Sequence, residues 1–221
     1  MRLKLITILL FIISIQTKGQ FFDKIIVSTG MTHSDLIFDY SDNNETLTDY
    51  EKIYAGFGRK SLIGFYNQVN FEYYETKNIS LVTGLGFYQK GAYDEIPGNT
   101  YNIENHWDLN YLTFDTKFKF RYQLKNMIPF VFLGPRIDYL LNHGSNYNSY
   151  NSQTKLNKIN YGIRYGVGLH FEKKNIITGF SFQNNSNFNS ILINDGEFIR
   201  PKFKINDKTM IVNFDFGLKL K

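Results

Sequence analysis

The chain has 221 residues, with 25 Lys and Arg against 20 Asp and Glu and no cysteine. That length suits one domain with a sizeable core, and the missing Cys excludes a disulfide framework, thiol chemistry and lipid attachment through a cysteine. Aromatic residues make up 17% of the chain, with 21 Phe and 16 Tyr beside one Trp, so a large apolar surface has to find a partner.

Residues 1–20, MRLKLITILLFIISIQTKGQ, begin with Arg2 and Lys4, continue in an apolar run from Leu5 to Ile15 broken only by Thr7 and Ser14, and end in polar and small residues. This is the pattern of a secretory signal peptide. Leu5 to Ile15 is 11 residues, too short for the roughly 20 that a membrane-spanning helix requires. Cleavage is expected after Gly19, leaving residues 20–221 as one mature domain. Arg2, Lys4 and Lys18 leave with the signal, so 22 basic side chains face 20 acidic ones. A chain so nearly balanced offers no concentrated basic face for nucleic acid.

Beyond Asp23 no stretch sustains apolar residues at helical spacing, whereas alternation with period two recurs. It predicts eight strands, near residues 24–37, 62–75, 79–90, 109–122, 128–141, 157–172, 176–185 and 208–220. Tyr54 to Lys60 either extends the second strand or lies in the loop before it. In the fourth strand Leu112, Phe114, Phe118, Phe120 and Tyr122 share one face, and Thr113, Asp115, Lys117, Lys119 and Arg121 share the other. The sixth strand sets Ile159, Tyr161, Ile163, Tyr165, Val167, Leu169 and Phe171 against Asn160, Gly162, Arg164, Gly166, Gly168, His170 and Glu172. The last strand sets Met210, Val212, Phe214, Phe216, Leu218 and Leu220 against Asn213, Asp215, Gly217 and Lys219.

Three related pentapeptides join these strands: Glu75-Thr76-Lys77-Asn78-Ile79, Gln123-Leu124-Lys125-Asn126-Met127 and Glu172-Lys173-Lys174-Asn175-Ile176. Each sits at a short connection, and the connections near 38–61, 91–108, 142–156 and 186–207 are long and polar. All short turns therefore lie at one end of the molecule, with the termini, and all long loops at the other. A tight hairpin needs positive φ, which Asn accepts more readily than most residues. A two-residue Lys125-Asn126 loop places Asp115 opposite Arg136, and a two-residue Lys174-Asn175 loop places His170 opposite Gly179. At Lys77-Asn78 a two-residue loop sets the faces in conflict, so a three-residue loop or a bulge is expected.

An eight-stranded meander can close with apolar residues inside, as a soluble ligand-binding barrel, or outside, as a membrane barrel. Gly64, Gly84, Gly86, Gly134, Gly162, Gly166, Gly168 and Gly217 lie on the polar face. The lumen of eight strands is only wide enough for packed side chains, so small residues belong inside and bulky ones outside. The expected fold is all-β: an eight-stranded antiparallel up-and-down transmembrane β-barrel. Its lumen is expected to hold a mutually paired polar network of Glu72, Asp115, Lys117, Lys119, Arg121, Arg136, Asp138, Arg164, His170, Glu172 and Asp215, with Asp115 pairing Arg136. Tyr73, Tyr122 and Phe171 near the turns, and Tyr88, Tyr111, Tyr139 and Tyr161 towards the loops, are expected to form interfacial belts.

Thr83-Gly84-Leu85-Gly86-Phe87-Tyr88-Gln89-Lys90-Gly91, Tyr111-Leu112, Ile128-Pro129-Phe130 with Leu133-Gly134-Pro135, and Tyr161-Gly162-Ile163-Arg164-Tyr165-Gly166-Val167-Gly168 together resemble the PorT-like outer-membrane β-barrel proteins of Gram-negative bacteria. The chain has Phe114-Asp115 where that family tends to have Ile-Pro. The resemblance implies an integral outer-membrane protein in contact with lipid and with the barrel-insertion machinery. It also implies short turns and termini in the periplasm and long loops outside.

Candidate chemistry is sparse. His143-Gly144-Ser145 is similar to the His-x-Ser of lipid A deacylases, but no acid stands at a matching spacing. His33, His106, His143 and His170 are not at metal-ligand spacing. Gly56-Phe57-Gly58-Arg59-Lys60-Ser61 lacks the spacing and the helix of a phosphate loop. The expectation is a monomeric structural or surface-interaction protein without catalysis or cofactor, with a possible surface ligand at the long, Tyr-containing loops.

Overall fold

The structure, a computed structural model, describes residues 22–40, 59–96, 103–145, 154–194 and 203–220. The signal segment and the Gly56–Gly58 stretch lie outside the described residues. Ten strands follow in chain order: β1 (Lys24–Tyr40), β2 (Arg59–Tyr73), β3 (Ile79–Ile96), β4 (Ile103–Arg121), β5 (Met127–Ser145), β6 (Thr154–Leu156), β7 (Ile159–Lys173), β8 (Ile176–Asn187), β9 (Leu192–Asn194) and β10 (Phe203–Lys219). The eight long strands pair antiparallel with their chain neighbours, and β1 pairs β10 from Lys24↔Lys219 to Tyr40↔Phe203. The sheet is thereby closed into an eight-stave barrel without a free edge. Most staves reach further towards the loop end than the alternation indicates, because polar and apolar residues mix there and the period fades. β6 and β9 pair with each other, and β9 pairs with Phe203–Ile205 of β10, so together they prolong the wall above β7 and β8.

The two faces part as the alternation dictates. Phe65, Phe114, Phe118, Leu133, Tyr161, Val167, Phe214 and Phe216 are exposed on the outer wall, while Glu72, Asp115, Arg136, Arg164 and His170 are buried inside. An apolar exterior wrapped around a polar core rules out the soluble ligand-binding barrel and suits hydrocarbon as solvent. Glycine is required where the lumen is most crowded. A Cβ on Gly84 would stand 2.7 Å from Asp115 Oδ1 and closer still to the Gln68 amide; one on Gly168 would meet the Phe130 ring and stand 2.8 Å from Ser181 Cβ.

The hairpins confirm two expected registers and correct a detail of each. Asp115 is opposite Arg136 and His170 opposite Gly179, as two-residue turns require. The positive φ, however, falls on Lys125 (54°) and Lys174 (55°), not on the following Asn. Turns with only their first central residue left-handed suit the strand twist as well. In the first hairpin Glu72 is opposite Val82 and Tyr73 opposite Leu81, with Tyr74 at φ 53°. Thr76 N donates to Ile79 O at 2.8 Å across Lys77-Asn78, so the one-residue offset is a bulge at Tyr74-Glu75 on the β2 side, and it reconciles the faces of β2 and β3. Bulges interrupt the ladders between Ser61 and Tyr66 and between Asn110 and Tyr111.

Candidate functional site

The barrel interior is a stack of three polar layers beneath an apolar mouth. At the turn end, Lys24 lies against Glu172 and 3.1 Å from Glu75. Lys119 Nζ donates to Glu72 Oε2 at 3.0 Å, Ser80 donates to Glu72 at 2.6 Å, and Arg121 pairs Glu75 and lies 3.7 Å from Glu72. The strand ends supply Lys24, Glu72 and Glu172, and the first turn folds Glu75 back over them.

The middle layer is built by β1, β2, β4, β7, β8 and β10. Asp115 accepts from Arg164 and, at 2.8 Å, from Gln68 Nε2; Lys117 Nζ is 3.1 Å from Asp115 Oδ1 and donates to Asn70 at 2.9 Å. His170 Nε2 is 3.0 Å from Asp215 Oδ2, and Lys119 Nζ is 3.4 Å from His170 Nδ1. An imidazole carrying its proton on Nε2 satisfies both contacts, which assigns the tautomer from the network. Ser28 at 2.5 Å and Ser181 at 3.3 Å donate to Asp215, so neither hydroxyl is presented to the imidazole as a nucleophile must be. A cavity of about 40 Å3, bordered by Glu72, Lys117, His170 and Asp215, holds room for a few waters.

In the upper layer Arg136 lies 3.1 Å from Asp138 and donates to Tyr88 Oη at 3.0 Å; Tyr88 in turn donates to Asp138 at 2.6 Å. Lys90 donates to Asp207 at 2.9 Å and lies 4.3 Å from the centre of the Tyr111 ring. Asn187 links Arg136 to Asp207. Above this layer Leu36, Ala92, Leu109, Leu140, Ile191 and Ile211 pack into an apolar cluster with the Tyr88 and Tyr111 rings. Ile191 comes from the β8–β9 connection, which is held by Asn157 N donating to Ile191 O at 2.8 Å.

All the anticipated lumen residues face inward, but one pairing is corrected. Asp115 and Arg136 are register partners without being ionic partners, because Asp115 turns to Arg164 of β7 and to Lys117 of its own strand, and Arg136 to Asp138 of its own strand. Tyr88 and Tyr111 are likewise corrected. They are fully buried and stacked at 5.6 Å with a 22° interplanar angle, sharing the inward face of Gly86 and Thr113. Tyr139, Tyr161, Tyr122 and Phe171 are exposed on the outer wall. Sequence reasoning missed Lys24, Lys90 and Asp207. The inward parity of Lys90 with Gly84 and Gly86 could have found it; Asp207 lies in the part of β10 expected to be loop. The four His are not brought together. His33 is exposed on β1, His106 lies on β4, and His143 is exposed on β5 opposite Leu109. Ser145 falls two residues on, opposite Trp107. Among the described residues no group of three His, Cys, Asp or Glu is placed to hold a metal.

A closed barrel of this polarity spans membranes, and the family model for the outer membrane protein β-barrel domain matches residues 25–192. The chain belongs to that family. As a member of the outer membrane β-barrel domain family it is an integral outer-membrane protein. No curated protein matches its sequence. Among solved structures it is similar to the outer membrane protein OprG from Pseudomonas aeruginosa, with a TM-score of 0.55 at 11% identity over 90% of this chain and 97% of that one. Neisserial surface protein A gives 0.46 at 10% identity over 89% and 97%. Ail of Yersinia pestis gives 0.42 at 11% identity over 88% and 97%. At such identities the OprG likeness speaks for the fold alone.

Proposed function

We propose that this chain is a closed, monomeric outer-membrane scaffold with a structural or surface-interaction role and no catalysis. Its hairpin turns and termini lie in the periplasm, where it meets the insertion machinery during assembly, and its four longer connections lie outside, where a surface ligand can bind. The observation that carries the reading is the occupied lumen. Lys24, Lys90, Lys117, Lys119, Arg121, Arg136 and Arg164 are matched by Glu72, Glu75, Asp115, Asp138, Glu172, Asp207 and Asp215, and the apolar mouth cluster lies above them. Balanced, side-chain-filled interiors support a wall and a plug better than a conduit. The Tyr161–Gly168 motif supports a finer place among PorT-like proteins.

Purified protein in planar bilayers should give no sustained conductance, and steady steps would overturn the closed reading. Because the chain has no Cys, Ser149→Cys and Asn126→Cys provide clean labels for orientation. On intact cells a membrane-impermeant maleimide should modify only the first; the reverse would invert the topology. Overproducing cells should keep their lipid A unchanged, and acyl loss abolished by His143→Ala would establish an enzyme instead.

A further inference from the structure

The outer wall carries a groove of about 780 Å3 across β4, β5, β7 and β8. Phe120, Tyr122, Val131, Val167, Phe180 and Phe182 line it, so that it runs from the turn end at Phe120, Tyr122 and Val131 to mid-strand at Val167 and Phe182. The two hairpins that end these strands present Lys125, Lys173 and Lys174, each exposed and none ion-paired among the described residues. Carboxylates at this end are turned inward. Asp23 accepts from Glu75 N at 3.0 Å, Glu72 and Glu75 are held by Lys119 and Arg121, and Glu172 by Lys24. Below the groove, then, the exposed charge is cationic. Lys125 and Lys174 also take the left-handed turn position, which Asn or Gly would fill with less strain, so the amine and not the backbone accounts for the residue.

We propose that this groove and its three lysines form a binding site for an anionic glycerophospholipid of the phosphatidylglycerol type. One acyl chain lies along the aromatic groove, and the phosphate lies among the amines. Lysine stems span the boundary between hydrocarbon and water while their charge stays with the headgroup. In the cell the proposal rests on the periplasmic placement of the turn end, since that leaflet is the one built of phospholipid.

The test is native mass spectrometry of the folded barrel released from nanodiscs containing equal amounts of phosphatidylglycerol and phosphatidylethanolamine. Both lipids reach both ends there, so the result does not depend on orientation, which maleimide labelling reads separately. The wild-type protein should retain phosphatidylglycerol about tenfold over phosphatidylethanolamine, as several amines near one anionic headgroup would give. The K125Q/K173Q/K174Q variant and the groove-filling Val167→Trp should each bring the ratio near parity, while Lys208→Gln at the opposite end leaves it unchanged. Folding of each variant is checked by its mobility before and after boiling. Parity in the wild type, a preference that survives the triple substitution, or one indifferent to Val167→Trp would each overturn the site. Release of the barrel as a dimer through this face would overturn it as well.

Discussion

Asp115 on β4 and Arg136 on β5 stand opposite each other in the sheet, yet other partners neutralise both charges. Asp115 is held by Arg164 and Lys117, and Arg136 by Asp138 and Tyr88. Facing positions in a narrow, tilted barrel share a wall, but their side chains meet charges two residues along the same strand, Lys117 and Asp138, and groups two staves away, Arg164 and Tyr88. Energetic coupling in the interior therefore follows these side-chain contacts and not the ladder register.

Removing Asp115 leaves Arg164 buried without its closest carboxylate. Asp115→Ala should destabilise the barrel by about 3–5 kcal/mol, read by urea unfolding from lipid vesicles. A double-mutant cycle between Asp115 and Arg164 should give a coupling above about 1 kcal/mol, and the Asp115–Arg136 cycle a value within about 0.5 kcal/mol of zero. The opposite ranking would mean that register decides the pairing after all.

Tyr88 holds its hydroxyl 2.6 Å from Asp138 and accepts from Arg136 at 3.0 Å. Tyr88→Phe removes both bonds while keeping the stacked ring, so a loss of about 1–3 kcal/mol is expected from the buried polar groups left short of a partner. Tyr139→Phe, on the outer wall, should shift stability by no more than about 0.5 kcal/mol in the same unfolding assay.

The outer face is read by charge insertion. Phe118→Arg and Leu133→Arg, both exposed on the wall, should each cost about 2–4 kcal/mol if they lie near the bilayer midplane. Folding yield into thin and thick phosphatidylcholine vesicles measures this. Unimpaired folding of both variants would contradict their contact with hydrocarbon.

Lys125 and Lys174 adopt φ of 54° and 55°, where an ordinary L-residue is disfavoured by about 1–2 kcal/mol. Lys125→Asn and Lys174→Asn should therefore stabilise the barrel in zwitterionic micelles by up to about 1 kcal/mol each. A net loss would show that the amine contributes to folding even without anionic lipid.

Much of this molecule is legible in the residues alone, and the boundary of legibility has a physical cause. Strand count, turn positions and the inward or outward sense of each side chain follow from a period of two, a property of single strands; hence Phe114 and Asp115 could be assigned to opposite faces before any fold was known. Tyr88 and Tyr111 obey that same parity, and only an expectation of aromatic belts placed them outside. Three features required the closed barrel: the pairing of Asp115 with Arg164, the joining of Lys90 to Asp207, and the packing of Ile191 over the mouth. Contacts of this kind depend on the curvature that brings distant staves within reach of one another. Alternation along a strand carries no record of that distance.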